Sequence, residues 1–443
     1  MSGWDWTSDG WVTLVAAMSA ISCALPGNYL VLRKMSLMGD AISHAVLPGL
    51  AAAFLISQSR APLPMFFGAV VVGVLTALLT QAISRFGRVE EGAAMGVIFS
   101  VLFAAGLIMI RQATDHVDLD PSCVLYGNIE HIGLEAAVGG MPPAVTNLAA
   151  VLVLNVVFII AFYKELRICA FDPALATTVG INANLMHYAL MVIVAITTVA
   201  NFESVGSILV IAMLIVPAVC AHLLTDRLGL MLVISAMIAG LSAVAGRVLV
   251  VYAPGWIGVE ADTNTAALMT VVAGMLLLLA VLFSPEHGLI GALLHRMSFA
   301  RQVMREDILG LLYRWHEMTR GRARSMTRDE ILNAVGRNFL STRALRSLRR
   351  RGQIEIDSPV TGDALHGMRL TDTGSRRASE IVRGHRLWET YLRTHFELPL
   401  DHLHMPAERV EHFLTPELSA KLDDALTGPD VDPHGKSIPK TSG

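Results

Sequence analysis

Apolar residues fill the first two thirds of the chain in long runs, and polar residues gather in the short gaps between them. A hydrocarbon core of roughly 30 Å takes about 20 helical residues to cross. Nine runs approach that length: Trp11–Leu32, Leu37–Ser57, Met65–Ser84, Gly92–Ile110, Val145–Tyr163, Leu185–Ala200, Val205–Leu224, Leu228–Val251 and Thr265–Phe283. After "LFSPEHGLIGALLHRMSFARQ", which ends at Gln302, the pattern changes to shorter amphipathic helices with charged faces. The first is expected over about Met304–Met318. "MTRDEILNAVGRNFLSTRALRSLRRRGQI" then predicts a helix, a break at Gly336, and a second helix from Ser341 that turns Leu345 and Leu348 inward. "IEIDSPVTGDALHGMRLT" alternates as two strands about a turn, so the segment reads as a helix-turn-helix with a wing.

Composition agrees with a membrane class. Hydrophobic residues make up 53% of 443 positions, too many for one soluble domain of that length. The net charge of −3 hides an uneven distribution, with Lys and Arg sparse before Leu294 and dense after His295. Cytoplasmic loops collect basic residues. Arg33 and Lys34, Arg85 and Arg88, Lys164 and Arg167, and Arg227 fall in alternate loops, which puts the N-terminus outside and leaves the tail in the cytoplasm after an odd number of spans. The long opposite loop from Gln112 to Ala144 is acidic, with Asp115, Asp118, Asp120, Glu130 and Glu135. Asp5 and Asp9, with no Lys or Arg among the first ten residues, mark the first run as a retained span rather than a secretion signal. Cys23, Cys123, Cys169 and Cys220 are scattered without a C-x-x-C pair, so no zinc ribbon or disulfide framework is indicated.

Ionisable groups within spans are costly and point to function. In "GDAISHAVLPG", Asp40 and His44 are four apart and stack on one helix face, where they suit either a shared divalent cation or a hydrogen bond across a helix contact. Arg247 and His222 lie nearer span ends, within reach of the interface. In the tail, Arg343, Arg346, Arg349, Arg350 and Arg351 give the second helix a basic face suited to DNA phosphates, anionic lipid or an acidic protein. "LHMPAERVEHFLT" sets His404, Glu408, Glu411 and His412 on one helix, as metal donors or as a solvated acidic face. The phosphate-loop lookalike "GPDVDPHGKS" has two residues too many between its glycines and no room for a following helix, which suits either a permease served by a separate ATPase or a proton-coupled secondary transporter.

"VLRKMSLMGDAISHAVLPG", together with "FDPALATTVGI", resembles the permease subunit of ABC importers for manganese, zinc or iron over about Trp11 to Ser284. The resemblance implies a paired permease, an extracytoplasmic metal-binding protein outside and an ABC ATPase subunit inside. It places Asp40 and His44 on the transport path, and it makes Asp172, Pro173 and Gly180 bound a short helix coupled to the ATPase. Pro at a first helical position and Gly after the last suit such a helix on their own account.

"LTDTGSRRASEIVRGHRLWETYL", "HMPAERVEHFLTPELSAKLDDAL" and "DPHGKSIP" resemble the winged-helix metal-dependent repressors related to the diphtheria-toxin and manganese-transport repressors, over about Arg305 to Pro439. That likeness implies sensor ligands at Asp307, His385, Glu408, Glu411 and His412, a second metal site at Glu389 and His404, and DNA contacts from the arginine helix. A cysteine stands at the Glu408 position in iron-type members, so the oxygen and imidazole set here leans toward manganese. An acid expected three residues after Asp307 is replaced by Gly310.

The expected architecture is mainly α: a polytopic membrane bundle over residues 1–297, a winged-helix domain over 298–375, and a helical metal-sensing and dimerisation domain over 376–443. The expected function is a non-enzymatic, multi-pass inner-membrane permease of an ATP-driven divalent-metal importer, with a metal-responsive tail. Its alternatives are a membrane-tethered DNA-binding regulator, or a zinc or iron importer whose tail is only structural.

Overall fold

The apolar runs fold as helices in the computed structural model, which describes residues 4–35, 37–57, 62–113, 127, 129–130, 132, 142–257, 264–285, 287–319, 325–357, 367–396, 398–399 and 402–440. Contacts divide the chain into two units, Met1–Gly291 and Ala292–Gly443. The first holds α1 (Ser8–Leu32), α2 (Met38–Ser57), α3 (Pro62–Gly87), α4 (Glu91–Ala113) and α5 (Pro143–Ala161). Two short helices follow, α6 (Tyr163–Phe171) and α7 (Pro173–Thr178), and then α8 (Ala183–Val205), α9 (Ser207–Leu224), α10 (Leu228–Ile257) and α11 (Thr265–Phe283). Among the described residues, nine helices are long and apolar enough to cross a membrane, and they coincide with the nine runs read from the sequence. α8 and α9 are separated only by Gly206, whose φ of 81° suits glycine and stops the first helix.

α1 lies at the centre of this unit, packed against α5, α8, α9 and α10. Small residues let the backbones close up: a Cβ on Gly27 would come within 1.9 Å of the Leu214 carbonyl oxygen on α9, and one on Gly49 of α2 within 2.5 Å of the Gly68 carbonyl oxygen on α3. Buried amides and hydroxyls bind the same helices. Asn155 donates to the Ser22 carbonyl at 2.8 Å and accepts from Thr197 at 3.0 Å, while Asn201 donates to the Ser22 hydroxyl at 3.1 Å. A polar group unable to reach water has to pair internally, and these do.

Arg247 corrects the expectation that it reaches out to the interface. Its guanidinium is nearly buried, bonded to Asp9 at the start of α1 (3.0 Å from Nε), to Glu130 (2.6 Å) and to Thr265 at the start of α11 (2.8 Å). The other acids of the Gln112–Ala144 loop, Asp115, Asp118, Asp120 and Glu135, lie outside the described residues.

The second unit is built on α12 (Leu289–Met318), β1 (Met326–Thr327), α13 (Arg328–Ala334), α14 (Phe339–Arg350), β2 (Ile354–Asp357), β3 (Gly367–Leu370), α15 (Asp372–Phe396), α16 (His404–Val410), a 3-10 turn (Glu411–Phe413) and α17 (Pro416–Ala425). The strands form an antiparallel sheet in the order β1-β3-β2. α12 begins fifteen residues before the expected Met304, because its Leu, Ala, Met and Arg residues favour helix and no proline interrupts them. α14 begins at Phe339 rather than Ser341, since the Asn338 side chain accepts from the Ser341 amide in a capping box. The turn between β2 and β3 lies outside the described residues. Ile308, Leu312, Ile331, Leu345, Leu348 and Ala378 form the unit's own core.

Arg247→Met leaves Asp9 and Glu130 facing each other without their cation. It should cost about 3 kcal/mol, the scale of breaking a buried pair, seen as a lowered thermal midpoint of the detergent-solubilised protein, whereas Ser100→Ala on the exposed face of α4 should leave the midpoint unchanged.

Candidate metal centre

α12 lays Glu306 and Asp307 against the 3-10 turn that carries Glu411 and His412. The ring of Phe299 packs on Phe413 with centroids 5.0 Å apart, which fixes that turn on the helix. His412 is held from both sides: Nδ1 lies 2.9 Å from Glu306 and Nε2 lies 3.2 Å from Asp307. Glu411 approaches the same ring, 3.8 Å from Nε2. One donor atom each from Asp307, Glu411 and His412 can be chosen so that all lie within 4.8 Å of one another.

Glu411 also reaches His385 on α15, whose Nδ1 is 2.5 Å away, and His385 Nε2 lies 3.0 Å from Glu389 one helical turn later. His385 therefore joins the Asp307 cluster to a second group of donors, because His434 Nε2 stands 3.9 Å from Glu389. Glu306, Glu389 and Glu411 are all buried. Arg377 donates to Glu306 at 3.0 Å, and Arg314 lies 3.6 Å from Glu411.

Burial disfavours charge on His412, but its hydrogen bonds to Asp307 and Glu306 outweigh burial and push its pKa up to about 10. Burial likewise opposes a charge on His385, and the bonds to Glu389 and Glu411 raise it above the ordinary histidine range. For Glu306, burial pulls upward, and the bonds from His412, Gln302 and Arg377 prevail and hold the carboxyl below its usual value. Protons on two histidines thus balance several carboxylates in space that a divalent cation would also suit. The donors fit such an ion: they are oxygen and imidazole, and a proton leaving His412 Nε2 frees a lone pair beside Asp307 and Glu411. Glu306 would meanwhile hold the Nδ1–H and so orient the ring, a carboxylate supporting a histidine ligand.

Of the residues singled out in the sequence, Asp307, His385, Glu389, Glu411 and His412 come together here. Glu408 and His404 lie on α16, and their side chains are outside the described residues. Gly310 is buried on α12, yet a Cβ there would meet nothing within 4 Å. Glu306, Arg314 and His434 were not anticipated. Glu306 is adjacent to Asp307 in sequence, and His434 lies in "GPDVDPHGKS", which folds as a turn with Asp432 accepting from the His434 and Lys436 amides.

In the first unit, Asp40 and His44 sit one turn apart on α2, the side chain of His44 lying outside the described residues. Asp40 lies in the first turn of α2, next to Gly39, which abuts Leu214 halfway along α9. Asp172 caps α7 by accepting from the Ala174 and Leu175 amides at 3.0 and 2.9 Å, Pro173 opens the helix, and Gly180 follows it at a φ of 91°. Phe171, Leu175 and Val179 are exposed around it. Arg33, Lys34 and Arg85 share a cavity of about 510 Å³ with Pro173, which gathers basic loops from alternate connections at one end of the bundle. On α14, Arg343, Arg346, Arg349 and Arg350 are all exposed.

Residues 10–284 match the family model described as the ABC 3 transport family. Residues 371–440 match the iron dependent repressor, metal binding and dimerisation domain. The manganese transport system membrane protein MntD of Bacillus subtilis (strain 168) is 42% identical over 298 residues, covering 66% of this chain and 98% of that protein. A probable metal transport system membrane protein of Chlamydia trachomatis serovar D is 26% identical over 447 residues, 96% of this chain and 95% of its own, so that likeness runs through both units. Among solved structures, PsaBC from Streptococcus pneumoniae in complex with Fab aligns with a TM-score of 0.52 and 31% identity, over 62% of this chain and 91% of that one.

The raised pKa of His412 sets a pH dependence for the metal-free tail. The folded state holds this proton more tightly than the unfolded state, so its stabilisation is complete below about 6.5 and fades as the pH rises through about 10. The stability lost on His412→Ala, from denaturant titrations with chelator present, should therefore be larger at pH 6 than at pH 10.

Proposed function

This chain belongs to the ABC 3 transport family, and from that membership we propose that it is the permease subunit of an ATP-driven importer of divalent metal ions, manganese foremost, regulated by its own tail. The observation that carries the regulatory reading is the convergence of Asp307, Glu411 and His412 within 4.8 Å, in a unit whose later part matches a repressor metal-binding domain. The choice of manganese rests on donor chemistry: the cluster is oxygen and imidazole, and the four cysteines all precede residue 221. The transported ion is substrate. On this reading it is delivered by an extracytoplasmic metal-binding protein, passes Asp40 and His44 on α2, and leaves where the tail lies, in the cytoplasm.

Energy enters from a separate ABC ATPase subunit. The capped α7, bounded by Asp172, Pro173 and Gly180 and fringed by exposed Phe171, Leu175 and Val179, offers a rigid apolar knob for that subunit to grip. A second permease copy completes the pathway. Asp307 on α12 and Glu411 and His412 on the 3-10 turn would hold an ion that accumulates inside, with His385 and Glu408 as neighbouring donors and Glu389 and His404 as a second site. Such an ion changes transport only if it binds the inhibited state more tightly than the active one. The exposed arginines Arg343, Arg346, Arg349 and Arg350 on α14 support a second reading, a membrane-tethered DNA-binding regulator. Sequence-specific retention of duplex DNA by the metal-loaded protein tests it, and retention no better than for random sequence excludes it.

Uptake of radioactive manganese by cells preloaded with manganese should slow several-fold for the native chain and stay fast for Glu411→Ala with His412→Ala. An unchanged dose dependence sinks the regulatory reading and leaves the permease reading intact. Gly310→Glu places a further carboxylate one turn from Asp307, in space that is open, and should lower the manganese concentration for half-inhibition by about tenfold, in the way added ligand charge tightens cation sites.

A further inference from the structure

A second concentration of charge lies in the tail, apart from the metal centre. The middle of α12 and the outer face of α14 line an open cavity of about 520 Å³ whose walls carry Arg301, Arg305, Arg343, Arg346, Arg350 and Arg351. Among the described residues, none of these six guanidinium groups forms an ion pair with a carboxylate. Arg301 Nε is buried without a hydrogen-bond partner. Burial and the charge of Arg351 together hold Arg305 below the ordinary arginine value. Six like charges gathered about one cavity repel one another, and an anion with several oxygens relieves that repulsion through forked, charge-assisted hydrogen bonds.

The helix leading into the cavity identifies where such an anion comes from. Leu289, Leu293, Leu294 and Met297 fall on one face of α12 at positions i, i+4, i+5 and i+8, and each is exposed, the leucines by about 60%. Arg296, Arg301 and Arg305 follow within the next turns. An exposed apolar stripe beside basic residues is the pattern of a helix lying in a membrane interface. The stripe is also close to lipid along the chain, because α12 starts six residues after Phe283 ends the last span. From Leu289 to Arg301 the helix advances only about 18 Å.

We propose that α12 lies along the bilayer surface from Leu289 to Met297 and that the arginine cavity binds the phosphates of anionic lipid headgroups. The shape of the site favours headgroups over duplex DNA. A recognition helix has to enter a major groove about 12 Å wide on its own, whereas here the arginine face of α14 forms one wall of a cavity and α12 forms the other. Lipid phosphates are small enough to enter it, and juxtamembrane clusters of this size are drawn to anionic leaflets. The proposal stands independently of metal sensing.

Hydrogen exchange on the full-length protein in nanodiscs tests it. In phosphatidylglycerol, amides of residues 289–305 and 339–351 should exchange about tenfold more slowly than in phosphatidylcholine. The difference should vanish for Arg301→Gln with Arg346→Gln, and in 1 M salt, where screening acts within about 3 Å. Leu293→Ser with Leu294→Ser should remove protection of residues 289–297 in both lipids. Unaltered exchange of the core amides of Ile331 and Ala378, outside both segments, shows that each variant is folded. Equal exchange in the two lipids, or protection that survives the glutamine substitutions, overturns the proposal. So does equal protection in phosphatidylcholine from millimolar inorganic phosphate, which makes the anion a soluble one, or from a micromolar random 20-base-pair duplex, which assigns the face to DNA.

Discussion

Charge withdrawn from water has to be matched at close range, and both units are arranged around that requirement. In the bundle, Arg247 ties Asp9 and Glu130 to the first turn of α11, so one guanidinium joins the start of the central helix, the connection between α4 and α5, and the last span. In the tail, His412 does the corresponding work with a proton that it holds up to about pH 10. The difference in kind matters. An arginine keeps its charge under all ordinary conditions and makes a permanent joint, whereas an imidazolium can surrender its proton to a cation that takes over the same carboxylates. The permanent joint lies in the span-forming unit, and the exchangeable one lies where an ion would be read.

The spans were legible because hydropathy is additive along a run, and a run of about 20 apolar residues has few ways to fold other than as a helix across lipid. Asp172–Pro173 and Gly180 were equally plain, since capping is local chemistry. What escaped the sequence depended on contacts between distant residues. Glu306 is indistinguishable from its neighbour Asp307 until the turn at Glu411–Phe413 places His412 between them. Arg247 looked free to reach the interface because its partners lie 238 and 117 positions away. His434 falls in "DPHGKSIP", a stretch that carries the repressor resemblance without marking this histidine as a donor. The first turns of α12, from Leu289, carry few charges, so the change in charge pattern falls later than the start of the helix.

Gly310 belongs to both lists. Its identity as the missing acid was visible in the sequence, and only the structure shows that the space beside it is open. The site therefore has an unfilled position rather than a collapsed one, and its donor count rests on Asp307, Glu411, His412 and whatever lies beside them. A cluster with fewer carboxylates binds a divalent ion more weakly.

Five residues, Ser284 to Gly288, join the last span to the long helix of the tail. So short a covalent link fixes stoichiometry. Every copy of the permease is synthesised, inserted and degraded with one copy of its tail, whatever the expression level. A separate regulator is diluted when transporters are overproduced and left in excess when they are lost. Here the ratio is written into the polypeptide, so the number of repressor-like domains in a membrane equals the number of permease chains it holds.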